Sequence, residues 1–478
     1  MPNKKPKYKS VQQLRRLLKR YPADHLDIEG LILDYLGRTD DSLDDVFNLN
    51  AQIYKTLFTG SKNEIARRLL NSVVDAGSRE ELAERCRHEY PGVIDILNKE
   101  VIGGAATIEW ICDLVKDPGN ALGYPIDLVL WHVSDIHFGK FNTFETDPRE
   151  LAFTLAKLAA DHKRVTPDAL IVTGDVSSMA ALGEFGDFRS FCREFSNAVW
   201  DGPHPERILV VPGNHDVTWL GDGTADRMAA FAHAFGSDEI CITPFGRDKA
   251  EFAGGRVTVM RVNPGSESVP PFAIVHYPEK RIEFILMVSG YFSGEVPAEV
   301  REVLNSGTGS QEDLLNLLRL DQGAVNQEYL FHISKVLEPR RFTALAVLHH
   351  NPVQYGIETC QNSLAPQLME TLWSRNVPLI LHGHVHLAEG KGRNRPVVAR
   401  ASYPIPAPTL CSIPTGGSGR GLNIHFVGAD SNERRIDTLV WNISESRSFV
   451  PADAILRYSF VVRKDNFDLI PHRNPDLP

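Results

Sequence analysis

Three histidines stand at alternating positions where an apolar run ends. The run is LILHGHVHL, residues 379–387, and it contains His382, His384 and His386. Residues two apart on an extended strand point to the same side. Two neutral imidazoles directed at one point are typical of a metal site. A single histidine is more often a core or surface group, so a metal site requires further ligands elsewhere in the chain.

Four other short apolar runs also end in residue types that bind metals. They are Asp135 and His137 after LVLWHVS, Asp175 after ALIVTG, Asn214 and His215 after RILVVPG, and His349 and His350 after TALAVL. In open α/β sheets, sites form in the crevice beyond the carboxyl ends of the strands. The pattern therefore predicts an α/β domain in which five strand ends supply one site.

The residue types favour a binuclear centre. Two divalent ions about 3.5–4 Å apart act together in hydrolysis and need a shared anionic ligand. A carboxylate can bridge two ions, while imidazole and an asparagine carbonyl bind without adding charge. Mn, Fe, Zn and Co all accept such a ligand set. Glycines in TGD, PGNHD and HGHVH are expected to let the backbone turn sharply beside the ligands.

The blocks SDIH, GDVSS, PGNHD, LHHNP and HGHVH resemble the motifs of the calcineurin-like metallophosphoesterases. That superfamily carries D-x-H, G-D, G-N-H-D/E, a later His and G-H-x-H in the same order, and the resemblance covers roughly residues 126 to 445. It implies a four-layer αββα sandwich with two mixed β-sheets.

The resemblance also implies a role for each matching residue. The first metal would be held by Asp135, His137, Asp175 and His386. The second would be held by Asp175, Asn214, His349 and His384, with Asp175 bridging the two ions. His215 would face the scissile phosphate and stabilise the transition state or protonate the leaving oxygen, with Asp216 orienting or supporting it.

The blocks HVSDIHFG, GDVSSMAALGEF and VVPGNHDVTW look most like the cyclic-nucleotide phosphodiesterase branch. GDVSS lacks the D-R-G extension of protein phosphatases, and Ser178 replaces the tyrosine of purple acid phosphatases. The resemblance implies hydrolysis of a cyclic nucleotide or similar nucleotide diester by in-line attack of a hydroxide bridging two divalent metals. One alternative is a manganese-dependent DNA or RNA nuclease resembling the Mre11 branch. Another is a signalling component that senses a nucleotide without turnover.

Charge bears on whether nucleic acid is a partner. The formal net charge of −10 opposes general phosphate-backbone binding. Two basic segments favour it: the first twenty residues, and EGKGRNRPVVAR just after HGHVH. Solvated charge is the favoured interpretation of both segments, and nucleic acid is a possible partner beside a small phosphodiester.

The region before residue 118 differs from the rest of the chain in its hydrophobic periodicity. Residues 1–117 have the periodicity of an all-α domain, residues 118–125 read as a linker, and residues 126–478 form the phosphoesterase domain. Phe58 to Pro91 resembles the helical effector-associated adaptor domains that tether enzymes in bacterial conflict systems. The N-terminal domain is therefore expected to bind a protein partner or to self-associate.

The remaining features place the protein in the cytoplasm. No apolar stretch is long enough to cross a bilayer, and no apolar segment follows the charged N-terminus. The six cysteines are widely spaced, as expected of reduced thiols.

Several residues near the blocks receive a structural interpretation. His132 and His382 are expected to pack within strands, His350 to be a pocket or structural residue, and His276 and His425 have no assigned role. RIEFILMVSGYFSG predicts a strand and AVNQEYLFHISKVL a helix. Residues 220–280 are either a cap over the site or a surface excursion.

Overall fold

The computed structural model describes residues 103–139, 147–218, 224–265, 269–290, 327–337, 343–352, 365–384, 402–411, 420–430, 433–443, 449, 454–463 and 469–471. The chain divides into two compact units, one of Met1–Trp110 with Asn474–Pro478 and one of Ile111–Arg473. Residues 1–102 lie outside the described residues, so the predicted helical domain and its adaptor-like segment stay predictions. The larger unit is described below.

Strands and helices alternate through the first half of this unit. The strands are β1 (Ile126–Val133), β2 (Ala169–Val172), β3 (Ile208–Val210), β4 (Lys249–Phe252), β5 (Val257–Val262), β6 (Phe272–Tyr277), β7 (Ile282–Met287), β8 (Thr343–Val347), β9 (Leu379–His382), β10 (Tyr403–Pro406), β11 (Gly421–Asp430), β12 (Glu433–Asn442), β13 (Ala454–Arg463) and β14 (Leu469–Pro471). The helices are α1 (Gly103–Lys116), α2 (Pro118–Leu122), α3 (Pro148–Asp161), α4 (Leu182–Trp200), α5 (Thr224–Phe235), α6 (Gln327–Val336) and α7 (Ala365–Ser374).

The strands form two seven-stranded mixed sheets. Sheet 1 has the order β14-β13-β12-β11-β1-β2-β3, in which β1, β2 and β3 are parallel and the other pairs antiparallel. Sheet 2 has the order β10-β9-β8-β7-β6-β5-β4, parallel from β7 to β10 and antiparallel from β4 to β7. In each sheet the parallel strands direct several carboxyl ends to one edge, where a site can form.

The two sheets pack face to face with helices outside. Leu130 and Ile171 of sheet 1 share one buried cluster with Phe284 and Val347 of sheet 2. Because alternate residues of a strand face opposite sides, the other faces also need cover. Residues of α6 and α7 pack on sheet 2, and the phenylalanines of α4 reach sheet 1 where Phe195 contacts Trp131, with ring centroids 6.0 Å apart. The predicted αββα sandwich with two mixed sheets is confirmed.

The segment predicted as a linker, residues 118–125, has ordered structure. Asp117 accepts a hydrogen bond from the Asn120 backbone at the start of α2, and Gly123 ends the helix in the left-handed region at φ 73°. The hydroxyl of buried Tyr124 then donates to the Asp437 carboxylate over 2.6 Å. This bond attaches the segment to β12.

The described part of residues 220–280 contributes three strands to sheet 2. It forms α5 and then β4, β5 and β6, which are the antiparallel half of that sheet. These strands assign the segment to the architecture of the domain rather than to a cap. The predicted strand and helix that follow it correspond to β7 and α6. No helix among the described residues combines the length and apolar character needed to span a bilayer.

Candidate metal centre

The strand ends bring six of the seven predicted ligands together. Asp135 and His137 follow β1, Asp175 follows β2, Asn214 follows β3, His349 follows β8 and His384 follows β9. Three groups have potential ligand atoms within 4.8 Å of one another: Asp135 with Asp175 and His349, His137 with Asp175 and His215, and His349 with His350 and His384. The seventh predicted ligand, His386, lies outside the described residues.

Asp175 occupies the middle of the cluster. Its Oδ2 lies 3.5 Å from Nε2 of His137 and 3.3 Å from Nε2 of His349. Its Oδ1 accepts the backbone N–H of His215 over 2.9 Å. A buried carboxylate between histidines supplied by two different sheets has the position expected of a ligand shared by two cations.

The ligands on either side of Asp175 form two sets. On one side, Asp135 Oδ1 lies 3.9 Å from His137 Nε2. On the other, Oδ1 of Asn214 lies 2.8 Å from His349 Nε2 and 3.2 Å from His384 Nδ1. The backbone N–H of His384 donates to Asp135 Oδ2 over 3.1 Å, which joins the two sets. These donors are the imidazoles, carboxylates and amide oxygen that suit intermediate divalent metals.

Two histidines are oriented by backbone carbonyls. Nδ1 of His349 donates to the Thr173 carbonyl over 2.6 Å, which leaves Nε2 as the atom that faces Asp175 and Asn214 and that would bind a metal. Nδ1 of His215 donates to the Ser178 carbonyl over 3.0 Å. The His215 ring stands edge-on to His137, with centroids 4.8 Å apart. The structure therefore places His215 beside the predicted ligands.

Electrostatics make this site favourable for positive charge. Burial opposes charge on His349, but the Asp175 carboxylate raises the pKa of that imidazole to about 10. Burial would likewise raise the pKa of Asp175, yet the attraction of His349 holds it well below its usual range. The residues thus fit divalent cations both in donor chemistry and in potential.

Four of the predicted ligands have unusual backbone conformations. Asp135, His137, Asp175 and His384 have φ values of 55°, 53°, 52° and 67°. This left-handed region is uncommon for residues other than glycine and costs on the order of 1–3 kcal/mol each. Such strain persists only where the surrounding structure imposes it, and it often marks functional sites.

The glycines beside the ligands serve two purposes. Gly174 has φ 91°, in agreement with the predicted sharp turn. For Gly213 and Gly383 the reason is instead close approach: a Cβ would lie 2.1 Å from Asp175 Oδ1 and 1.8 Å from Ser134 Oγ, respectively. These two positions need glycine because the loops touch.

Asp216 supports the site through the backbone. Its carboxylate accepts the backbone N–H of Gly213 and of Ser177, each over 2.9 Å, and the Ser177 hydroxyl over 2.8 Å. Burial, with the nearby Asp175 charge, raises the pKa of Asp216 to about 6. These bonds tie the loop after β3 to the loop after β2, and so they position the segment that carries His215.

The histidines interpreted as structural are buried. Nε2 of His132 lies 3.0 Å from Thr173 Oγ1, and Nε2 of His425 lies 3.3 Å from His132 Nδ1. Burial lowers the pKa of His382 to about 4 and that of His350 well below its usual range. Sequence reasoning missed the Thr173 carbonyl and the buried pair of His132 and His425, because these contacts join residues far apart in the chain.

Comparison with known proteins identifies a family for this chain. A family model described as calcineurin-like phosphoesterase matches residues 128–388. No curated protein matches the chain. Two solved structures are similar: GAP50, the anchor in the inner membrane complex of Plasmodium, has 13% identity and TM-score 0.37 over 73% of this chain and 90% of its own. A Vps29 single mutant from Entamoeba histolytica has 8% identity and TM-score 0.26 over 72% of this chain and 100% of its own.

Proposed function

Because the chain belongs to the calcineurin-like phosphoesterase family, we propose that it is a dimetal-dependent phosphodiesterase acting on a cyclic nucleotide or similar nucleotide diester. The observation that carries this proposal is the position of Asp175, whose Oδ2 lies 3.5 Å from His137 and 3.3 Å from His349. The phosphodiester is supported by the likeness of the GDVSS and PGNHD blocks to the cyclic-nucleotide branch.

The ligands divide around Asp175. Asp135, His137 and Asp175, with His386 predicted from the sequence, would hold one ion. Asp175, Asn214, His349 and His384 would hold the other. When bound, two divalent ions lower the pKa of an attacking water and neutralise charge on the phosphoryl oxygens. Mn, Fe, Zn and Co are all compatible with these nitrogen and oxygen donors.

His215 is the residue that transfers a proton in the proposed reaction. Its Nδ1 is held by the Ser178 carbonyl, so Nε2 is the atom that exchanges a proton with the leaving oxygen. Asp216 keeps the loop in place without contributing to proton transfer. The residues that hold the predicted metal ligands in place, from both sheets, thereby orient the phosphorus for in-line attack.

A phosphoester panel on metal-reconstituted protein tests the proposal. Cyclic AMP and bis-p-nitrophenyl phosphate are compared with p-nitrophenyl phosphate and with single-stranded and duplex DNA. Diester hydrolysis is expected to exceed monoester hydrolysis. Preference for DNA would instead indicate a nuclease, and nucleotide binding without turnover would indicate a sensing component.

Three variants separate metal binding from proton transfer. Asp175→Asn is expected to abolish metal binding or turnover. His215→Ala is expected to lower kcat by about 10²–10⁴-fold while most of the metal stays bound. His332→Ala on α6 is the matched control and leaves both unchanged. Equal activity of Asp175→Asn and the unmutated protein would contradict the proposal.

A partner for the N-terminal region is a further part of the proposal. The helical periodicity of residues 1–117 and the resemblance of Phe58 to Pro91 to adaptor domains support binding of a protein partner or self-association in the cytoplasm. Light scattering of the full chain over a range of concentrations tests self-association, because a mass that rises with concentration is expected only if the chain associates with itself.

A further inference from the structure

Ser289, just after β7, is buried beside the paired histidines His349 and His350. Its Oγ lies 3.2 Å from the backbone N of His349 and 3.0 Å from that of His350. It also lies 2.9 Å from Nδ1 of the His350 ring. One hydroxyl therefore contacts two backbone donors and one ring nitrogen.

The hydrogen-bond capacity of the hydroxyl fixes the proton on His350. A serine hydroxyl has two lone pairs and one proton. The two backbone N–H groups occupy the lone pairs, so the O–H donates to Nδ1 of His350. Since Nδ1 accepts, the neutral ring carries its proton on Nε2.

That Nε2–H lies within the candidate metal centre. His350 is 6% exposed, and its Nε2 is buried without a hydrogen-bond partner in the part of the chain that the structure describes. The ring lies 4.9 Å from the His349 ring and 4.6 Å from the His384 ring, measured between centroids. A buried donor of this kind destabilises the protein when it is unpaired, which points to a ligand that accepts its hydrogen bond.

We propose that His350 binds substrate by donating a hydrogen bond from Nε2 to a phosphoryl oxygen held beside His349 and His384. Metal coordination through Nε2 would need the opposite tautomer, and Ser289 would then have to give up one of its backbone donors. The neutral Nε2–H can donate to a tetrahedral oxyanion, and it does so without changing the set of predicted metal ligands. The proposal rests on the proposed function for the identity of the oxyanion.

Inorganic phosphate is the probe for this assignment. Calorimetry measures its affinity for the manganese-loaded full-length protein, and elemental analysis measures bound manganese. His350→Ala is expected to weaken phosphate binding about tenfold, the size of one hydrogen bond to a charged group, with manganese content unchanged. His350→Gln should recover part of the affinity because its amide N–H replaces the donor. His332→Ala is the matched control.

The outcomes distinguish the alternatives. Loss of bound manganese in both His350 variants would make His350 a metal ligand and overturn the proposal. Unchanged phosphate affinity with unchanged manganese would leave His350 a packing residue, and so would phosphate that fails to bind the unmutated protein. If His350 governs phosphate affinity but no diester is hydrolysed, the proposed function fails and the assignment of His350 stands.

A measurement on the unmutated protein is independent of any folding defect. Nitrogen NMR of the metal-free chain reports which nitrogen of His350 is protonated. Protonated Nε2 with unprotonated Nδ1 is expected. A proton on Nδ1 would overturn the proposal.

Discussion

At the scale of single residues, the centre is packed so tightly that one methyl group would disturb it. A Cβ at Gly213 would lie 2.1 Å from Asp175 Oδ1 and 2.5 Å from the Asp175 backbone N. Neither group can move aside, because both belong to the loop that presents the shared carboxylate. We expect Gly213→Ala to weaken manganese binding by at least about tenfold and to lower the free energy of unfolding by about 1–3 kcal/mol. Metal titration and urea unfolding measure the two effects.

Gly186 in α4 provides the matched control. An added Cβ there meets no atom within 4 Å. Since glycine disfavours helix, Gly186→Ala should raise the free energy of unfolding by up to about 1 kcal/mol and leave manganese binding unchanged. Metal affinity of Gly213→Ala equal to that of Gly186→Ala would contradict the packing explanation.

The residues that the sequence could assign are those whose role depends on local order along the chain. Asp135, Asp175 and Asn214 each come shortly after an apolar strand, so their types and spacing were sufficient to predict that they meet at one site. His350 is different, because its orientation depends on Ser289, which is 61 positions away. A local pattern contains no information about such a contact.

At the scale of elements, the start of α4 supports the loop after β2, which contacts His215. Oε2 of Glu184 accepts the backbone N–H groups of Ser178, Met179 and Ala181 over 3.2, 2.9 and 3.3 Å. The Ser178 carbonyl in turn holds His215. We expect Glu184→Ala to lower kcat severalfold and the free energy of unfolding by about 1–2 kcal/mol, with metal content unchanged.

Glu194 of the same helix is the control, since it forms only a surface ion pair with Arg149 at 4.0 Å. Steady-state kinetics of both variants give the comparison. If kcat of Glu184→Ala matches that of Glu194→Ala, the cap does not position His215.

A buried histidine pair links β1 to β11 below the site and makes stability depend on pH. Burial lowers the pKa of His425 from 6.5 to about 3 and that of His132 well below its usual range. Below pH 6.5 the unfolded chain therefore binds protons that the folded chain excludes, so the contribution is complete above pH 6.5 and is lost as the pH falls. Each such histidine should cost about 1.4 kcal/mol per pH unit between 6.5 and its folded pKa.

Replacing His425 isolates its share. Urea unfolding of the metal-free protein at pH 7 and pH 5.5 measures the loss of stability on acidification. For His425→Gln this loss should be smaller by about 1 kcal/mol than for the unmutated protein. An identical pH dependence of the two proteins would refute the assignment.

At the scale of the whole molecule, metal binding should stabilise one of the two compact units. The centre lies entirely within Ile111–Arg473. A ligand at a free concentration 100 times its Kd adds about 2.7 kcal/mol to the state that binds it. Removing manganese with a chelator should therefore lower the Tm of this unit in the unmutated protein. The Tm of the Asp175→Asn variant should not change. Calorimetric scans of both proteins, with and without chelator, provide the measurement, and a chelator-insensitive Tm would contradict it.

The architecture was predictable to the extent that its determinants were short runs of sequence. The order of ligand-bearing strands indicated an α/β domain, and the resemblance to the calcineurin-like family implied the two mixed sheets that the structure confirms. The role of residues 220–280 was not predictable, because β4, β5 and β6 are recognised as sheet strands only through their pairing, for example Val259 with Val275.

The bond between the His384 backbone and Asp135 joins positions 249 residues apart. During translation, the first half of the centre therefore leaves the ribosome long before the second. At about 5–20 residues per second, the interval is roughly ten to fifty seconds. Each predicted ion site takes a ligand from the segment after β9, His386 for one and His384 for the other, so neither site can be complete until synthesis has passed β9.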